Sequence, residues 1–249
     1  MNMVQPEAPR SRPGGVLRAV LRRCRARRAG APPVVVFDLD GTLMDNRPRT
    51  LAILREFAAH CRDRDADLAR RLDASRPADL AYLLADSLDR MGAREHALAA
   101  EVEAFWRDRF FADGHLVHDT AVPGAVEFAR ACHEAGAVLV YLTGRDRPFM
   151  GSGTLQSLRD LGFPIDDPAT ELILKPDAAT PDEAFKRLAA PGLARLGEVV
   201  AAFDNEPGNC NVFLASYPDA HVVFVETQHM PGAPALSAGV ETLCDFRME

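Results

Sequence analysis

Five short apolar runs, at residues 33–38, 137–142, 171–174, 198–203 and 220–225, alternate with segments of helical periodicity. Runs that are apolar at successive positions predict strands buried on both faces, as in a parallel sheet whose crossovers carry helices on either side. Pro123-Gly124 opens a helix bearing Val126, Phe128, Ala129 and Cys132, which Gly136 ends, and residues 153–162 predict another before Gly162 and Pro164. The stretch from 46 to 119 is different. It shows only helical spacing, as in Leu51, Leu54, Phe57, Ala58 and Cys61, then Leu80, Leu83, Leu84, Leu88 and Met91, then Leu98, Val102, Phe105 and Trp106. A crossover needs only about a dozen residues, so this stretch predicts a separate helical unit inserted after the first strand. The tail after Val225, with Pro231 and Pro234, predicts a loop and a short final helix. The expected fold is therefore α/β, a Rossmann-like parallel sheet of five strands with an α-helical insertion. The expected organisation is an arm over 1–30, a core over 31–45 and 120–249, and a helical unit over 46–119.

Composition narrows the class. At 249 residues and 47% hydrophobic content the chain can bury a sizeable core. Its five cysteines, at 24, 61, 132, 210 and 244, form no C-x-x-C pair and are odd in number, which argues against a disulfide framework or zinc knuckle and fits a reducing cytoplasm. No stretch is long and apolar enough to span a membrane, and residues 16–23 are interrupted by arginines where a signal peptide would be uniformly apolar. Charge is uneven: the first 30 residues hold eight arginines against one glutamate, in a chain of net charge -7. With Pro6, Pro9, Pro13 and Gly14-Gly15, this segment reads as a disordered, separable arm in preference to a helix bound to an anionic surface. The acidic remainder argues against extensive nucleic-acid contact and for a small soluble substrate. Oligomeric state leaves no mark in the pattern.

The candidate chemistry lies where the first apolar run stops. Val34-Val35-Val36-Phe37-Asp38-Leu39-Asp40-Gly41-Thr42-Leu43 sets two carboxylates at i and i+2, which face one side of an extended chain. Each raises the other's pKa unless a cation or substrate group lies between them, so the pair suggests a nucleophile beside an acid. Thr143-Gly144-Arg145 follows the second run and Asp204-Asn205-Glu206 the fourth, with Lys175 and Lys186 between them. In this order the motifs resemble those of the haloacid dehalogenase (HAD) superfamily, whose phosphatases carry Asp-x-Asp-Gly-Thr after the first strand. The resemblance runs from about 33 to 226, although the segment between the first two motifs matches only in size and helical character.

The resemblance implies an active site at the carboxyl ends of the strands and a cap, here residues 46–119, that closes over it and selects the substrate. It implies Asp38 as the nucleophile, forming an aspartyl-phosphate, and Asp40 as the acid and base. Mg²⁺ would be held by the Asp38 side chain, the Asp40 backbone carbonyl and the Asp204 side chain. Thr143, with the backbone N–H groups of Gly144 and Arg145, would bind the transferred phosphoryl group. The Arg145 side chain reads as a contact to a second anionic group of the substrate or, more simply, as part of a solvated cluster with Asp146 and Arg147. Of 29 basic residues only Lys175 and Lys186 are lysines, and Lys186, on a helix and 18 residues before Asp204, suits the catalytic, phosphoryl-binding lysine better than Lys175. The commoner form of the last motif has a second acid soon after the first. Here Glu206 and Asn209 stand nearby, either to hold a metal-bound water or to cap the following helix. His115 and His118 read as hinge residues, not as a metal pair.

The expected function is Mg²⁺-dependent hydrolysis of a phosphate monoester on a small metabolite. Asp40 favours phosphatase over dehalogenase chemistry, and residues 46–120 contain no lysine for the Schiff base of a phosphonate hydrolase. A phosphomutase, a polynucleotide end phosphatase and a non-catalytic binding protein on the same fold are the alternatives.

Overall fold

The computed structural model describes residues 14–26 and 30–248. Its centre is a six-stranded parallel sheet built from β1 (Pro33–Phe37), β4 (Val138–Asp146), β5 (Thr170–Lys175), β6 (Glu198–Asp204), β7 (His221–Val225) and β8 (Glu241–Leu243), in the order β5-β4-β1-β6-β7-β8. Two very short strands, β2 (Met44–Asp45) and β3 (Thr120–Ala121), pair antiparallel as a separate ribbon. Alternation along the central strand feeds both faces. Val35 and Phe37 enter one core, and Val34 and Val36 the other. The first core is closed by α6 (Ala125–Glu134) and α7 (Arg147–Leu161), through Phe128 and Leu158. The second is closed by α8 (Asp182–Ala189) and α9 (Pro207–Ser216), through Phe185 and Phe213.

The sixth strand replaces the final helix expected in the tail. Pairing of Val223, Phe224 and Val225 with Glu241, Thr242 and Leu243 satisfies the outer edge of β7, which a loop would have left open.

Between β2 and β3 run α2 (Arg47–Cys61), α3 (Ala66–Asp73), α4 (Leu84–Arg90) and α5 (Ala99–Phe110), with short 3₁₀ turns at Pro77–Asp79 and Asp113–His118. These helices have an apolar core of their own, around Leu54, Phe57, Leu68, Leu72 and Leu88. An internal core is what allows such an insert to hold its shape as a unit.

The basic arm does not behave throughout as a separable extension. Residues Gly15–Arg25 form a helix, α1, and bury Val16, Leu17, Val20, Leu21 and Cys24 against the α6 side of the sheet. Arg18, Arg22 and Arg25 are exposed, and Arg23, half-buried, pairs with Glu198 at 2.8 Å. Arginines interrupt the apolar residues in sequence but not on the helix surface, where positions three and four apart lie together. Residues 1–13 and 27–29 lie outside the described residues. Leu17→Ala is therefore expected to destabilise the protein by about 2–5 kcal/mol, as for a fully buried leucine in any core. Urea unfolding checks this, and a change below about 0.5 kcal/mol would return α1 to the status of a surface appendage. Among the described residues no helix is long and apolar enough to cross a membrane.

Candidate active site

The chain runs from β1 to β4 and β5 on one side of the sheet, then returns to β6, β7 and β8 on the other. The reversal makes the carboxyl end of β1 a topological switch point, where open α/β sheets form their crevice. Asp38 stands there, just past β1. Thr143 comes from β4 and Asp204 ends β6, so both neighbours of β1 deliver a motif to the same edge. A cavity of about 1350 Å³ opens over this edge, lined by Asp38, Asp40, Thr143, Gly144 and Lys186 from the core and by Trp106 among the insert residues.

Three charged groups meet at the cavity floor. Lys186 Nζ, from α8, lies 2.7 Å from Asp38 Oδ1 and 2.7 Å from Asp204 Oδ2. All three side chains are buried. The second oxygen of Asp38 accepts from Thr42 Oγ1 at 3.1 Å. That of Asp204 accepts from the Glu206 backbone N–H at 2.9 Å and from Asn209 Nδ2 at 3.1 Å. Burial pushes the Asp38 carboxyl up to about 7, with Lys186 opposing the rise and the charge of Asp204 adding to it. Burial would lower Lys186, but the two carboxylates outweigh it and hold the ammonium charged. Two carboxylates share one ammonium here, and once both are ionised one negative charge is in excess.

Asp40 belongs to a different cluster. Its side chain is 28% exposed and lines the cavity, while behind it lie Arg145, Arg49 and Asp119, all buried. Arg145 holds both Asp40 oxygens, Nε to Oδ2 at 2.7 Å and Nη2 to Oδ1 at 2.8 Å. Arg49 Nη2 reaches Oδ1 at 2.6 Å. Burial alone would raise the Asp40 carboxyl, but the two guanidinium groups together hold it well below the usual carboxylate range. At 2% exposure Arg145 is not part of a solvated cluster; it lies against Asp40 at the cavity wall.

Thr143 is buried and its Oγ1 accepts from the Arg145 backbone N–H at 3.2 Å. A Cβ at Gly144 would meet the Asp182 carboxylate, which would have to move aside. Gly41 sits at φ +76° against Asn205, a position only glycine fills without strain. Lys175 reaches Asp182 Oδ1 at 2.6 Å and the Thr180 carbonyl at 3.0 Å, not the Asp38–Asp204 pair. Asp146 caps α7, accepting from the Phe149 N–H at 2.9 Å. Neither Glu206 nor Asn209 caps α9 through its side chain. Asn209 orients Asp204, and the Glu206 carboxylate accepts from the Met230 N–H at 3.1 Å. His115 pairs with Glu56 at 3.0 Å.

Two residues of this site have no counterpart in the sequence reading, Arg49 and Asp119. An arginine on a helix and an aspartate before a threonine carry no motif, and only their burial together gives them away.

The donor set at Asp38 and Asp204 is hard oxygen, which fits a hard divalent cation better than a softer ion. Among the described residues no group of three or more His, Cys, Asp or Glu side chains gathers as a metal site, so two carboxylates with the Asp40 backbone carbonyl are the set in question.

Among solved structures, the fold is shared with a candidate phosphatase of Clostridium difficile, at 15% identity over 85% of this chain and 94% of that one, with a TM-score of 0.56. It is also shared with protein tyrosine kinase A of Mycobacterium tuberculosis, at 18% identity over 87% and 95%, with a TM-score of 0.52. One is named for removing phosphate and the other for adding it, so the likeness is one of fold and leaves the reaction to the site. No curated protein matches the chain in sequence. The sequence match that carries weight is to a family, the haloacid dehalogenase-like hydrolases, over residues 32–207. That span runs from β1 and its paired acids through Thr143 and Lys186 to Asp204 and the first residue of α9, and the chain belongs to this family of hydrolases.

Proposed function

We propose that the protein is a phosphatase that hydrolyses a small phosphate monoester through an aspartyl-phosphate on Asp38. The observation that supports this most is the convergence of Asp38, Lys186 and Asp204 on one buried point at the cavity floor, with Asp40 on its wall. Asp38 attacks the phosphorus and the bond to the leaving alcohol breaks. Water then attacks the phosphorylated Asp38 and inorganic phosphate departs. Asp40 carries the proton in both halves, to the alcohol and from the water. As described it is ionised, the state that accepts from water, so it must acquire a proton before serving an alkoxide leaving group. Lys186 holds Asp38 in line and offsets phosphoryl charge, and Thr143 with the N–H groups after it supplies donors at the strand end. The family generally uses a divalent metal. Magnesium held by Asp38, Asp204 and the Asp40 carbonyl would screen the approach of one anion to another.

The insert reads as a cap. Gln228 Nε2 donates to the Leu80 carbonyl of the insert at 2.7 Å, and Trp106 helps wall the cavity, so the insert sits where it can exclude water and select among substrates. The purified protein is expected to release inorganic phosphate from members of a broad panel of phosphorylated metabolites, and to stop on chelation and resume on addition of Mg²⁺. Turnover of none of the panel, or turnover indifferent to chelation, would sink the reading.

A further inference from the structure

Asp40, which also accepts from Asn46 Nδ2 at 3.3 Å, is joined by three buried charges whose side chains the chemistry above does not use, Arg145, Asp119 and Arg49. Arg49 holds Asp119 with a fork, Nε to Oδ1 and Nη2 to Oδ2, both at 2.8 Å. Arg145 Nη2 reaches Asp119 Oδ2 at 2.7 Å. With the contacts to Asp40 already given, each carboxylate faces both guanidinium groups and the set is neutral. Asp40 and Arg145 line the cavity, and Arg49 and Asp119 do not. The side chains of Arg49, Arg145 and Asp119 are exposed by 1% or less.

Stability alone is a poor reason for such a set. Buried ion pairs are often replaced by well-packed apolar residues with no loss of stability, because desolvating the charges offsets their attraction. The planar fork of arginine instead fixes direction, and here both oxygens of Asp40 are fixed from behind. We propose that Arg145 and Arg49, joined through Asp119, are positioning residues that aim the Asp40 carboxylate into the cavity. The proposal rests on the assignment of Asp40 as the proton carrier.

The partners come from different parts of the fold. Arg145 stands on β4 and moves with the sheet. Arg49 stands on α2, at the start of the insert, donates to the Phe110 carbonyl at the end of α5 at 2.9 Å, and lies 4.2 Å from the centre of the Phe110 ring. Asp119 stands next to β3, where the chain returns from the insert. The clamp therefore spans both crossings of the β2–β3 ribbon. Asp40 is thus held from the sheet through Arg145 and from the insert through Arg49.

The test separates proton transfer from phosphoryl transfer. First-turnover rates are measured on p-nitrophenyl phosphate, whose leaving group needs little protonation, and on an alkyl phosphate, whose leaving group needs it fully, for the wild type and for Asp40→Asn, Arg145→Lys, Arg49→Lys and Asp119→Asn. Asp40→Asn is expected to lose roughly 10²-fold more on the alkyl ester than on the aryl ester. The clamp variants are expected to lose in the same unequal way, by at least about tenfold, with the effect in kcat and not in KM. A merely structural role would lower both esters together, through the fraction of folded enzyme, and that outcome in every clamp variant that folds overturns the proposal. Should Arg145→Lys fail to fold, Asp119→Asn, nearly isosteric, carries the same comparison. If Asp40→Asn itself shows no inequality, the proton-carrier assignment fails and takes the clamp with it. If Asp40→Asn shows it and the clamp variants do not, the clamp alone is wrong.

Discussion

Asp38→Asn is expected to lower kcat by roughly 10⁴-fold or more, the scale seen when a nucleophile is removed from a site that keeps its other groups. An amide oxygen is too weak a nucleophile to form the acyl-phosphate, and no neighbouring carboxylate can replace it. Asp204 is turned to Lys186, Glu206 N–H and Asn209, and Asp40 is held by two arginines. The fold is expected to survive. The substitution removes one of two carboxylates that share the ammonium of Lys186, so the metal-free variant should melt no lower than the wild type, and higher if the excess charge costs stability. Rate and melting temperature must be read together. A variant that keeps more than a few per cent of its activity shows that Asp38 is not the nucleophile, and one that fails to fold shows that the charge balance drawn for the site is wrong.

The parts of this molecule that were legible in the sequence are those where one residue's type restricts its neighbours. β1, β4 and β6 are apolar at successive positions because they are buried on both faces, and the acids at their carboxyl ends stand out against such runs. The insert was legible because more than seventy residues of helical spacing cannot be a crossover. What escaped depends on pairing across long distances. β8 is three residues long and exists because β7 offers an edge. α1 hides its apolar face among arginines that interrupt it in sequence, of which Arg18, Arg22 and Arg25 are exposed on the helix while the apolar residues are buried. Arg49 and Asp119 are 70 residues apart, and Arg145 and Asp40 are 105 apart. No local pattern connects them, and the tendency of arginine to lie at surfaces pointed the other way for Arg145.

Two clusters of opposite character now sit side by side. The set around Asp40 is neutral and holds a geometry. The set around Asp38, with both carboxylates ionised, has one negative charge more than Lys186 can neutralise, and is the one suited to receive a cation and then a phosphoryl group. The division assigns different kinds of damage to different substitutions. Loss from the first set misdirects a proton. Loss from the second removes the charge balance on which the approach of one anion to another depends.

Lys186→Met should therefore be costly in both stability and rate. The ammonium is the sole side-chain cation within hydrogen-bond distance of Asp38 and Asp204 among the described residues, at 2.7 Å from each, and without it two buried carboxylates face one another. Breaking such a buried set from one side costs about 3–5 kcal/mol unless one carboxyl takes up a proton. The rate is expected to fall by about 10²–10³-fold, as when a single preorganised donor is lost from a site where charge develops. Lys186→Arg should be nearly as damaging to rate, because a planar fork cannot occupy a point between two oxygens that a compact ammonium fills. Lys175→Arg should be mild, since Lys175 serves Asp182 and a carbonyl. The metal supplies the sharper readout. With both carboxylates ionised, well above pH 7, Lys186→Met raises the uncompensated charge at the site from one to two, so Mg²⁺ should there raise its melting temperature more than it raises that of the wild type, even though neither rate nor substrate enters the measurement. If Mg²⁺ stabilises the two proteins equally, the cation does not bind beside Asp38 and Asp204, and the reading of that pair as its ligands falls whatever the kinetics show.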